Sequence, residues 1–282
     1  MKRNIALFVL LLALMPALAW AGVISDTRFN ALSEGGWNCF GTEANPEGGG
    51  AGSAAIVTAP GSAPDLANAL RVSFPSGYHD GYNPVECDSN YFNSSEIYQQ
   101  IYVYFPRGYE FHTIANKLSY DYLDSNNSAD NPGNLYIAVW DTQRSVVIHL
   151  QPNSPGAENR VLYPNKSWPT IQTDNWYKIS WYVKLNDSGS SNGVARLWVN
   201  DVLSVEYTDV NMRSGIFGSR NFHFSTLLPI FGGYNKMSKT QADFFYFGRA
   251  ILSTTPVAGG PWGAISPIQK EPKPPNNLII NK

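Results

Sequence analysis

Between Ala69 and Ser253 the chain is a succession of short apolar or alternating segments, each cut off by Gly, Pro, Asn or Asp. They include "LRVSF", "IYVYF", "KLSYDYL", "NLYIAVW", "SVVIHL", "WYKISWYVKL", "VARLWV" and "LSVEYTDV". No other feature constrains the fold as much. Segments of this length and period read as strands, and the turn residues dividing them leave little room for helices. Helical periodicity is confined to "PDLANAL", a turn or two. The pattern predicts an all-β sandwich or barrel.

The clearest unit is residues 176–208. Tyr177, Ile179, Trp181, Val183 and Leu185 share one face, and Lys178, Ser180, Tyr182 and Lys184 the other. Asn200-Asp201 joins "VARLWV" to "VLSVEYTDV", because Asn and Asp tolerate the positive φ of a two-residue hairpin turn. This reads as an antiparallel meander with one solvated face.

Other strands have outward faces of a different kind. "EIYQQIYVYF" places Ile97, Ile101, Val103 and Phe105 inward and Tyr98, Gln100, Tyr102 and Tyr104 outward. Alternation turns out Lys117, Ser119 and Asp121 from "KLSYDYL", with Leu118, Tyr120 and Tyr122 opposite. It turns out Tyr136 and Trp140, then Val147, His149 and Gln151, then His223 and Ser225, with Phe222 and Phe224 buried. If these strands share a sheet, its outer face is aromatic and amphipathic. Rings that stack on sugar C–H faces, beside groups that read hydroxyls, suit a polar ligand. Tyrosines on strands also lie under long loops, and residues 41–65, rich in Gly, Ala, Ser and Pro, read as such a loop. His79 and His112 read as loop or packing residues.

The N-terminus sets Lys2 and Arg3 before an apolar run and the small residues Ala19-Trp20-Ala21, the layout of a signal peptide over residues 1–21. The expectation is a secreted or periplasmic domain at 22–254 with no membrane insertion after cleavage. The chain carries 20 basic and 22 acidic residues, a balance that argues against nucleic acid as a partner. In an exported chain the two cysteines, Cys39 and Cys87, are expected to pair. Residues 255–282, rich in Pro and Gly, read as a tail that folds back through Trp262 or hangs free. Asp121, Asp124 and Asp130 in "DYLDSNNSADNPGN" offer oxygen ligands of the kind Ca²⁺ takes, although without an ordered ligand spacing; no cofactor is otherwise expected. No phosphate loop, nucleophile elbow or zinc pattern appears.

"VARLWVNDVLSVEYTDV", "FHFSTLLPIFGG" and "ADFFYFGRAIL", with "ALRVSFPSG", "EIYQQIYVYF" and Asn116-Lys117-Leu118 upstream, resemble the concanavalin A-like jelly-roll group. Within it the chain is most similar to polysaccharide lyases that cleave alginate and glucuronan. The resemblance covers residues 69–253 and implies a two-sheet antiparallel jelly-roll sandwich that binds glycan, neutral or anionic, on a concave sheet. It carries Lys117 over as the family's Lys-Leu lysine. Departures are Gln100 where an Arg is usual, Asn200-Asp201 for Asp-Gly, Gly248-Arg249 for an acidic pair, and an inserted "LLPI".

β-Elimination on a uronic acid needs a group to neutralise the sugar carboxylate, a base for the C5 proton and an acid for the leaving oxygen. The expected catalytic set is Gln100, Lys117, His149 and Tyr102. The expected glycan-binding set is Tyr98, Gln100, Tyr102, Tyr104, Tyr136, Trp140, Gln151 and His223. The loss of Arg at position 100 favours polysaccharide recognition without cleavage, the leading expectation here. A polysaccharide lyase is the alternative, and a structural protein with an inert groove the second.

Overall fold

The computed structural model describes residues 22–41, 51–63, 65–123, 133–152, 156–215, 218–233 and 237–262. The expected leader, Asp124, Asp130 and residues 263–282 lie outside these. The described strands are β1 (Val23–Thr27), β2 (Ser33–Glu34), β3 (Trp37–Gly41), β4 (Ser53–Thr58), β5 (Asn68–Phe74), β6 (Val85–Ser89), β7 (Glu96–Tyr104) and β8 (Ala115–Leu123). They continue with β9 (Gly133–Trp140), β10 (Ser145–Pro152), β11 (Arg160–Leu162), β12 (Trp176–Lys184), β13 (Gly193–Val199), β14 (Val202–Val210), β15 (Phe222–Leu227) and β16 (Asp243–Ser253).

All described pairings are antiparallel and form two eight-stranded sheets. Sheet A runs β14-β13-β12-β7-β16-β5-β4, with β1 also on β16; sheet B runs β11-β10-β9-β8-β15-β6-β3-β2. The two stack as a jelly-roll sandwich over one apolar core that includes Trp37, Trp181, Phe222, Phe231, Phe245 and Phe247. The meander forms with its predicted pairing and inward face, but its other face is largely covered rather than solvated: Ser180, Tyr182, Val194 and Trp198 are buried, the last three packed with Trp262. Ile179, Trp181, Val183 and Leu185 are buried, and Asn200 and Asp201 take φ of 50° and 66° between β13 and β14.

Residues 41–65 are not loop throughout. Ser53–Thr58 pairs along β5 as an edge strand, because Ala54 and Ile56 have core surface to cover. "PDLANAL" supplies no helix; Asn68, Ala69 and Leu70 open β5. Cys39 and Cys87 form the expected disulfide between directly opposed positions of β3 and β6.

The strands with aromatic outer faces do not share a sheet. β7 lies in sheet A between β12 and β16, whereas β8, β9, β10 and β15 lie in sheet B. Tyr98, Gln100, Tyr102 and Tyr104 therefore face away from Lys117, Tyr136 and His149, with the whole core between. Chain segments cover most of this stripe. Tyr98 stacks on Tyr182 at 4.7 Å and meets Trp262 edge-on at 5.4 Å. Trp262 also closes on Trp198 at 5.3 Å and is only 5% exposed, so the tail folds back at least that far. Tyr104 lies against Trp176 and Gly61, and the Trp176 indole N–H donates to the Pro60 carbonyl at 2.8 Å. Gln100 is buried and accepts from the Ser180 hydroxyl. The departure at Gly248-Arg249 falls at a bulge in β16. A Cβ at Gly248 would run into Leu66 and Trp176, and the Arg249 guanidinium pairs with Asp26 at 2.7 Å.

Candidate active site on the outer face of sheet B

Two bulges set this face. In β8 the register shifts between Lys117 and Ser119, so Lys117, Tyr120 and Tyr122 all turn outward while Ser119 and Asp121 turn in. Strict alternation, which put Ser119 and Asp121 outward, fails because the extra residue reverses the phase. Ser119 instead bonds Gln99 of the opposite sheet at 3.0 Å. Asp121 accepts from the Trp181 indole N–H at 3.0 Å and from the Ser225 hydroxyl, and full burial lifts its carboxyl to about 7. It is thus a core residue rather than a calcium ligand. The second bulge, between Phe222 and Phe224 of β15, turns Phe224 out and buries Ser225, the reverse of expectation.

One row of side chains crosses the sheet through paired positions: His149 of β10, Tyr136 of β9, Tyr120 of β8, Thr226 of β15, Asp88 of β6 and Asn38 of β3. Lys117 sits in the neighbouring row, opposite Ala138. Its Nζ lies 5.0 Å from the Tyr136 ring centre and 5.9 Å from that of Tyr120. These rings take away the water that an ammonium needs, and burial pushes the Lys117 amine down to about 8, against a smaller opposing pull from Asp80.

Asp80 belongs to a buried group beside this lysine. The backbone N–H groups of Ile114 and Ala115 donate to Nδ1 of His112, which leaves the proton on Nε2, 3.9 Å from the Asp80 carboxylate and beyond hydrogen-bond reach of it. Gly232 passes this ring at a φ of 68°, where a Cβ would lie 2.3 Å from Nε2. His112 is a packing residue, as expected, and it helps to wall the site.

The second element is a tyrosine–histidine pair. The Tyr136 hydroxyl makes a short hydrogen bond with Nδ1 of His149. The other ring nitrogen, Nε2, reaches Oδ1 of Asn159 at 3.1 Å. A carboxamide oxygen only accepts, so Nε2 carries the proton and Nδ1 receives the Tyr136 O–H. Burial first, and the Lys117 charge to a lesser degree, hold His149 below the usual imidazole range against the opposing Asn159 bond.

Rings continue outward from this pair. Trp140 meets His149 edge-on at 5.7 Å, and Tyr120 lies 5.0 Å from Tyr136. Tyr120 stacks on Tyr122 at 5.9 Å, Tyr122 on Phe224 at 4.6 Å, and Tyr91 approaches Phe224 at 5.9 Å and His223 at 5.0 Å. Of the expected residues, the structure brings together Lys117, Tyr136, Trp140, His149 and, at the far end, His223; Gln151 lies on the same face opposite Asn134. It separates Tyr98, Gln100, Tyr102 and Tyr104 from them. Alternation missed Tyr120, Tyr122 and Phe224 because of the bulges. It missed Asn159 because nothing in "PGAENRVL" marks β11.

This geometry defines a jelly-roll sandwich with a lysine and a tyrosine–histidine pair on an aromatic sheet face. Residues 129–249 match the family model of polysaccharide lyase 14, a stretch that holds Tyr136, Trp140 and His149 but not Lys117. No curated protein matches the chain. Among solved structures it is similar to alginate lyase vAL-1 from Chlorella virus, with 16% identity, 82% of this chain and 99% of that one covered, and a TM-score of 0.60. It is also similar to the endo-β-1,4-glucuronan lyase of the fungus Trichoderma reesei, at 14% identity, 82% and 94% coverage and a TM-score of 0.57. The marine PL-14 alginate lyase of Aplysia kurodai gives 14% identity, 71% and 86% coverage and a TM-score of 0.55. The jelly-roll fold read from the sequence, and its likeness to alginate and glucuronan lyases, both hold.

Proposed function

We propose that the protein is a polysaccharide lyase that cleaves a uronic-acid-containing polymer by β-elimination, with Lys117, Tyr136 and His149 as its reacting groups. The observation that carries this reading is the partly desolvated Lys117 amine above a tyrosine whose hydroxyl is already bonded to a neutral imidazole. Lys117 as ammonium neutralises the uronate carboxylate and so acidifies the C5–H bond. Tyr136 passes its own proton to Nδ1 of His149 and takes the proton from C5. The C5–H electron pair becomes the C4=C5 double bond as the C4–O4 bond breaks, and Tyr136 returns a proton to O4. Gln100, the neutraliser expected from the sequence, is on the other sheet, and Lys117 fills that role.

The test is ultraviolet absorbance of the 4,5-unsaturated product on glucuronan, alginate and mixed uronate polymers. Tyr136→Phe and Lys117→Ala are each expected to lower kcat about 10²-fold or more, the scale of one acid–base or electrostatic group. The rate should rise with pH as His149 becomes neutral, below the usual imidazole range, and fall as Lys117 loses its charge near pH 8. Lys117→Arg should keep part of the activity and move the falling limb to higher pH, since guanidinium stays charged. An unmoved limb would remove Lys117 from the cationic role.

The continuous run of rings from Trp140 to Tyr91 favours a second reading, polysaccharide recognition without cleavage. Retarded migration in polysaccharide gels that depends on Trp140, with no unsaturated product from any polymer, would select it. The charged start and apolar run at the N-terminus support an exported protein, and among the described residues no helix is long and apolar enough to cross a membrane.

A further inference from the structure

We propose that the β6–β15 end of this face takes a neutral sugar unit, so that the polymer accepted has its uronates separated by uncharged units. The proposal rests on the lyase site described above and concerns what lies two strands away from it.

The stacking surface does not stop at the reacting groups. It runs through Tyr122 and Phe224 to Tyr91, which is 72% exposed. An exposed ring backed by others offers a platform for a further sugar. Along this stretch the charge reverses. Glu86 and Asp88 alternate with buried Val85, Cys87 and Ser89, so both carboxylates stand on the outer side of β6. Burial first makes both less acidic than usual, and Glu86 is raised further by Asp88. Burial first, and then the charges of Glu86 and Asp88, push the Tyr122 hydroxyl up to about 12.

Lys117 is the cation among the outward strand positions of the described sheet. It is two strand spacings from β6, about 10 Å, close to the distance over which salt screens charges. The uronate at the scissile bond therefore meets a cation, while a uronate placed over β6 meets two carboxylates at close range. A sugar hydroxyl fits there instead. Thr226, 1% exposed, stands between Tyr120 and Asp88 across the paired strands, and its hydroxyl helps to hold the Asp88 carboxylate. Glu86 and Asp88 are half-buried on the outer side of β6, and sugar hydroxyls can donate to carboxylates of this kind.

The experiment is calorimetric binding to full-length Tyr136→Phe protein. The probes are a glucuronate hexasaccharide and a hexasaccharide of the same length in which glucuronate alternates with neutral hexose. The alternating ligand should bind about tenfold tighter, a 1.4 kcal/mol preference. Adding Glu86→Gln and Asp88→Asn should raise affinity for the homouronate about tenfold while leaving the alternating ligand within about twofold. Glu86→Gln alone, with circular dichroism to check folding, should give a smaller change in the same direction. Equal or better binding of the homouronate by the Tyr136→Phe protein would overturn the proposal, as would a double variant with unchanged preference. Binding of neither ligand would also overturn it. So would homouronate affinity that rises with Ca²⁺ and loses that rise in the double variant, because the carboxylates would then bridge to the polymer through a cation. If the preference holds but wild-type protein forms no unsaturated product from either polymer, the lyase chemistry fails and the neutral subsite stands.

Discussion

Lys117 and Asp121 lie four residues apart on one strand and show how burial acts on opposite charges. Against the Tyr136 and Tyr120 rings the lysine loses hydration and its amine falls to about 8. In the core the aspartate carboxyl rises to about 7 despite hydrogen bonds from Trp181 and Ser225. A carboxyl with a folded pKa above its unfolded value of 3.8 adds stability that is full below that value. The contribution is lost as pH rises towards 7. At 1.36 kcal/mol per unit the loss is on the order of 4 kcal/mol. Asp121→Asn keeps an acceptor for the indole, turns an amide N–H toward the Ser225 oxygen in place of the oxygen that accepted from it, and does not titrate. Urea unfolding at pH 4 and pH 8 should therefore show the wild type losing a few kcal/mol more than the variant. Equal losses would show that Asp121 is ionised throughout.

Strand β7 lies apart from the strands with which its tyrosine stripe was expected to share a sheet. That stripe reads as a ligand face, but in the middle of sheet A it is largely packed over: Tyr98 lies under Trp262, and Tyr104 against Trp176 and Gly61. Trp262→Ala removes a ring that is 5% exposed and should cost about 3 kcal/mol in denaturant unfolding. The polymer cleavage proposed above should be unchanged in the native protein, because the candidate site is on the other sheet. A loss of activity without a loss of stability would place the stripe back among the functional residues. Strand β8 shows the opposite case. One extra residue near Leu118 brings Lys117 onto the same face as Tyr120 and Tyr122 and assembles the site.

At the scale of the molecule, two broad sheets with a single core between them keep the two outer faces apart. Sheet B gains a covalent tie where Cys39 and Cys87 join β3 to β6, next to the strand that carries Thr226 and Phe224. Closing a loop with a sequence separation of 48 contributes about 4 kcal/mol in the chain-entropy description. Replacing both cysteines with serine should lower stability by about that amount in guanidinium unfolding, with cleavage kept under native conditions. A much smaller loss would mean that the unfolded chain is already compact around this loop.

Local chemistry was enough to reveal the all-β class, the meander with its Asn200-Asp201 turn, the Cys39–Cys87 pair and the inward faces of most strands. Alternation and turn propensity act over a few residues and are written in the order of the chain. Lys117, Tyr136, Trp140 and His149 were legible one by one as outward polar or aromatic positions. Their meeting, and the exclusion of Tyr98, Gln100, Tyr102 and Tyr104, depended on which sheet β7 joined and on where β8 and β15 bulged. Those are decided by long-range pairing and by the fit of Trp181, Asp121 and Ser225 in the core, so only the tertiary structure could assign these side chains to two opposite faces.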